Sequence, residues 1–293
     1  MVDLTVVRER LRAYHGTPIP LSIARFVAWL AADPTHIEQL SSAAFLYPAW
    51  DLSIADGTAP LPVRPTQRYG REPPEFIAIA RTGVDGEEIG VLELAPELER
   101  GELPFVTFFP MEFGAEVCEL GADFAGALAM YLAYPSAEGA RPLRLLGLAE
   151  GNAPAAVWNG FLPHAEAPPS GYRFVQTHDR TGVLAPSGAF GADDSSLEAP
   201  LELSALDAAA GRAERALREG YPGTAIAAAR NVRYATGGYH EAAVDRACLV
   251  WAAAALQLGR PWHAQMVAEA QQSYAPPSTV VISETAVVWE DEP

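Results

Sequence analysis

The chain has 293 residues, 49% hydrophobic and 19% charged, which is enough apolar mass for one large or two small domains and argues against wholesale disorder. Its formal net charge of −17 disfavours nucleic acid and anionic membrane as partners, since both are polyanions, and favours a basic protein. All 20 basic residues are arginine, so there is no Schiff-base lysine and no lysine phosphate clamp; the Ala, Gly, Pro and Arg content points to a GC-rich bacterial genome.

In chain order, residues 3–14 and 20–32 are predicted as two helices separated by the Gly16-Thr17-Pro18-Ile19-Pro20 break. Leu21, Ala24, Phe26, Val27 and Leu30 give the second helix an apolar face. A third short helix is expected over 35–46. The prolines at 48, 60, 62, 65, 73 and 74 make 47–74 a stretch of loops and edge strands. Residues 75–81 and 89–94 then predict a hairpin around Gly83-Val84-Asp85-Gly86, followed by strands at 104–109 and 115–120. A helix is expected over 122–133, with Phe124, Leu128 and Leu132 on one face, and a shorter one over 153–161.

Tyr172–Thr177 and Gly182–Leu184 predict a second hairpin around His178-Asp179-Arg180-Thr181, and 186–200 has the composition of a linker. Beyond it, 203–275 is alanine-rich and predicts four helices broken at Gly220-Tyr221-Pro222, Gly237-Gly238 and Gly259-Arg260-Pro261. An internal repeat is visible. Ala216-Leu217-x-x-Gly220-x-Pro222-x-x-Ala225-x-x-x-Ala229 recurs 39 residues later as Ala255-Leu256-x-x-Gly259-x-Pro261-x-x-Ala264-x-x-x-Ala268. That offset fits helical-hairpin repeats. The β-branched run 279–289 is expected as a strand or hairpin packing back on the body.

Cys118 and Cys248 lie far apart in apolar surroundings and read as buried free thiols of a reducing compartment. The N-terminal residues, with Arg8, Arg10 and Arg12, lack the apolar core of a signal peptide, and no run reaches the length of a membrane span. A cytoplasmic protein is therefore expected.

The run Pro73-Pro74-Glu75-Phe76-Ile77, the turn Thr82-Gly83-Val84-Asp85-Gly86, the strand Ile89-Gly90-Val91-Leu92 and the later Pro104-Phe105-Val106-Thr107-Phe108-Phe109-Pro110 resemble the SMI1/KNR4 (SUKH) superfamily. The following acidic strand and the helix carrying Phe124 and Leu128 complete the likeness, which covers about 60 of the 293 residues. The tryptophan segment that the family carries upstream is met loosely by Trp50 and Asp51, and the helical array is an addition to the family's basic domain. The resemblance implies an α+β fold and either an immunity protein that neutralises a toxin, often a nuclease, or a regulatory scaffold.

Two surfaces are candidates for binding. From Asp85 to Asp123 there are eleven acids opposed only by Arg100, and Asp85, Glu87, Glu88, Glu93, Glu97, Glu112, Glu116 and Glu119 are expected to form an acidic face that captures a basic partner. The same acids lack calcium-loop spacing, and the six histidines show no zinc pattern, so neither metal nor cofactor is expected. In the helical array, Tyr221, Tyr234, Trp251 and Trp262 are candidates for a peptide groove, core packing being the plainer reading. Arg212, Arg215, Arg218, Arg230 and Arg233 carry most of the array's positive charge.

His178-Asp179 is an adjacent His–acid pair within the predicted hairpin and reads as turn residues; no G-x-S-x-G, P-loop or dinucleotide fingerprint is present. The expectation is an α+β domain at 1–198, with a mixed or antiparallel sheet and flanking helices, followed by a small all-α helical-hairpin (TPR-like) region at 199–293. Its function is expected to be non-enzymatic protein binding through the acidic face. A peptide-binding scaffold is the alternative, and a hydrolase using acids near the glycine turn the third reading.

Overall fold

Val7, Leu11 and His15 are spaced four apart and are buried along α1 (Leu4–His15), while α2 (Leu21–Ala32) buries Ile23, Ala24, Phe26, Val27 and Leu30. This is the apolar stripe that helical spacing dictates. Gly16, at φ 62°, and Pro20 part the two helices. Asp33 starts α3 (Thr35–Ala44) by accepting a hydrogen bond from the Thr35 backbone N–H at 2.9 Å, and that bond holds its carboxyl below the usual aspartate range. His36 ties α3 back onto α2: its ring stacks on Trp29 at 4.3 Å, and Nδ1 lies 2.7 Å from the Trp29 carbonyl.

The computed structural model describes residues 4–33, 35–44, 46–48, 72–82, 87–98, 103–109, 117–121, 168–191, 201–237 and 242–272. Five strands form one antiparallel meander in sequence order: β1 (Leu46–Pro48), β2 (Phe76–Thr82), β3 (Glu88–Leu92), β4 (Phe105–Phe108) and β5 (Val117–Gly121). The expected β2–β3 hairpin pairs Phe76 with Leu92 and Arg81 with Glu88, with a bulge between Ala78 and Ala80. Both faces of β3 and β4 are buried, which is why their sequences run apolar instead of alternating. Gly90 is required at the centre of β3. A Cβ there would stand 2.2 Å from the Ile77 carbonyl oxygen and 2.7 Å from the Phe76 ring. These helices and this sheet belong to one compact unit, Met1–Arg68 with Glu75–Ala167.

A second compact unit contains Tyr69–Pro74 and Pro168–Pro293. Its described residues form a two-stranded antiparallel hairpin, β6 (Tyr172–Val175) and β7 (Val183–Pro186), and four α-helices: α4 (Leu206–Arg218), α5 (Pro222–Ala235), α6 (Ala242–Gln257) and α7 (Pro261–Gln272). Successive helices pack on one another, and α4 also packs on α6. The repeat in the sequence is a repeat in backbone geometry. At the end of α4, Tyr221 N–H bonds the Ala216 carbonyl and Gly220 N–H that of Leu217; at the end of α6, Arg260 N–H bonds Ala255 and Gly259 N–H bonds Leu256. Gly220 and Gly259, at φ 85° and 73°, supply the left-handed residue this paired-bond cap needs, and Pro222 and Pro261 open the next helices.

Two expectations change here. The hairpin at 172–186, counted above with the first domain, shares its hydrophobic core with the helices: Val175, Val183 and Ala185 cluster with Leu206, Ile226, Val232 and Trp251. The start of the expected linker is also part of that core. Ser187–Ala189 forms a 3-10 turn, Ala189 and Phe190 are buried, and Gly191 N–H bonds Thr224 Oγ1 at 3.0 Å. Composition misled because Phe190, the large apolar residue at its start, seats against Gly223, where a Cβ would approach the ring to 2.7 Å. The helices expected at 122–133 and 153–161, the 83–86 turn and the strand at 279–289 lie outside the described residues. Among the described residues no helix is long and apolar enough to cross a membrane.

Candidate functional site

α5 is buried at every position from Ala225 to Arg233, so its arginines enter the core together with its alanines. Arg230 is 1% exposed and donates from Nη1 to Asp179 Oδ2 at 3.1 Å. Its guanidinium lies 4.5 Å from the centroid of the Trp251 ring, and that of Arg233 lies 5.8 Å from the same ring. Desolvated cation–π contacts of this kind contribute about 2 kcal/mol, which helps offset the burial of the charge.

Asp179 is held from the hairpin side. Its Oδ1 accepts from Thr177 Oγ1 at 2.5 Å and from Thr181 N–H at 3.1 Å, and Thr177 Oγ1 accepts from Gly182 N–H at 2.8 Å. The turn passes through Arg180 at φ 61° and Gly182 at φ 74°. Asn231 Oδ1 accepts from His178 N–H at 2.9 Å and so fixes the turn to α5. The His178-Asp179 pair is therefore a turn, as its sequence context indicates, and both aspartate oxygens serve the turn and the arginine. Nearby, Arg260 is 2% exposed and donates from Nη2 to the Leu184 carbonyl at 2.7 Å, anchoring β7 to the start of α7.

Pro73, Asp179, Arg230, Arg233, Tyr234 and Trp251 line a cavity of about 20 Å³. Two of the four aromatic candidates meet there. Tyr234 is half-buried and Trp251 is 1% exposed, so the indole forms the floor of the cavity and not an open shelf. Tyr221 is 36% exposed and stands beside Gly191, and Trp262 is buried with its ring 5.5 Å from that of His263; neither lines the cavity. Arg230 and Arg233 are buried, whereas Arg215 and Arg218 are exposed and Arg212 half-buried, so the five do not form one positive face. The signal for this was present in the sequence: a helix apolar all round, as at Ala225–Ala229, is central, and its charges must be buried with it.

The acidic candidates divide. Glu88, 0% exposed, accepts from Arg81 Nε at 2.7 Å across the β2–β3 pair. Glu93, 1% exposed, accepts from Thr17 Oγ1 and from Ala95 N–H, each at 3.2 Å. Both carboxylates belong to the interior of the sheet unit and contribute nothing to an exposed face. Glu87 is half-buried and Glu97 exposed, and Glu119 pairs with Val106 in the β4–β5 register. Asp85, Glu112 and Glu116 lie outside the described residues.

Cys248 is a free thiol whose pKa is pushed up by burial, against the opposing pull of Arg233, so it lacks the thiolate character of a nucleophile. Cys118 lies on β5 opposite Thr107. No group of three or more His, Cys, Asp or Glu is placed to hold a metal ion among the described residues. No protein-family model matches the chain, and no curated protein matches it.

Proposed function

We propose that this chain is a non-enzymatic protein-binding module whose helical unit, a pair of TPR-like hairpins, carries the recognition surface around the half-buried Tyr234, with Arg233 and Trp251 as the buried lining behind it. One observation carries this reading: two guanidiniums and two aromatic rings converge on one cavity, braced from behind by Asp179. Arginine, tyrosine and tryptophan are the residues that dominate binding energy at interfaces, above all when preorganised. Asp179 acts as a brace and not as an acid–base group, because both of its oxygens are engaged within the unit.

A second reading is favoured by the exposed Glu97, the half-buried Glu87 and the net charge of −17. In it the sheet unit is a SUKH domain of a bacterial, cytoplasmic immunity protein, and its remaining exposed acids capture a basic toxin. The antiparallel meander agrees with the α+β fold that the resemblance implies.

Affinity capture with the full chain separates the two. Wild type, Tyr234→Ala and the double variant Glu87→Arg with Glu97→Arg are used as bait in lysate at low and high salt, with circular dichroism to check folding. The proposal expects the partner to be lost with Tyr234→Ala and kept by the double reversal. Loss only with the reversal, together with release at high salt, overturns it in favour of the acidic face.

A further inference from the structure

We draw no further inference here: the strongest candidate, the cavity of about 20 Å³ between the 177–182 turn, α5 and α6 with the buried Trp251 at its floor, belongs to the site already described and has space for about one water molecule, too little to name a ligand.

Discussion

Among the described residues the sheet unit buries the acids Glu75, Glu88 and Glu93 and no arginine, whereas the helical unit buries Arg230, Arg233 and Arg260 together with Glu72 and Asp179. The carboxylates are held by short-range donors: a threonine hydroxyl and a backbone N–H for Glu93, and a partly exposed arginine for Glu88. The guanidiniums use what a planar, weakly hydrated cation can use, namely the face of Trp251, the Asp179 carboxylate and the Leu184 carbonyl. A formal charge of −17 thus says little about where charge lies. Some acids counted toward an external face are interior to the sheet, and some arginines counted toward a basic face are interior to the helices.

The sharpest way to break this comparison is to remove one support from each unit. Asp179→Ala leaves Arg230 buried without its carboxylate and is expected to cost about 3–5 kcal/mol in urea denaturation. Glu88→Leu replaces a charge by an apolar side chain of similar size at a fully buried position, and frees Arg81, 27% exposed, to turn to solvent. Its expected cost is within about 1 kcal/mol of zero. Equal losses in the two variants would mean that the units hold their buried charge in the same way.

A smaller effect sharpens the helical half. Gly220→Ala and Gly259→Ala should each cost about 1 kcal/mol, since both positions have positive φ and no atom within 4 Å of an added Cβ. The two values should agree, because the turns share the same pair of cap bonds. A clear inequality in thermal or urea unfolding would show that the sequence repeat is not an energetic one.

The repeat illustrates what was legible in the sequence. Caps, breaks and helical spacing are local, so Gly220, Gly259, Pro222 and Pro261 announced the four helices, and the apolar runs announced the β2–β3 hairpin. Burial of a polar side chain depends on what folds over it. Glu88 and Glu93 sit among acids that the chain spaces like a surface, and only the strand pairing with Arg81 and the return of Thr17 put them inside. Likewise the floor of the cavity was named through Trp251 and Tyr234. Its brace Asp179 and its further lining residue Pro73 lie about fifty residues and more away along the chain, where no periodicity connects them.

The smallest predicted effect concerns a charge pair that is not buried. Arg246, 39% exposed, donates from Nε to Glu214 at 2.8 Å and from Nη1 to Asp207 at 3.2 Å, linking α6 to α4. The hydrogen bond from Arg246 is the main cause that holds the Glu214 carboxyl below its ordinary 4.5. A depressed folded-state pKa means stability that is fully present above pH 4.5 and is lost as pH falls through the folded value. Solvent screening limits the gain to about 0.5 kcal/mol, so Glu214→Gln should lower the urea midpoint slightly at neutral pH. The difference from wild type should vanish once the native carboxyl is protonated, and it should shrink in 1 M salt, where the screening length is about 3 Å. A salt-independent loss of several kcal/mol would place this pair with Arg230 and Asp179 as a buried support and erase the distinction between the helical unit's core and its rim.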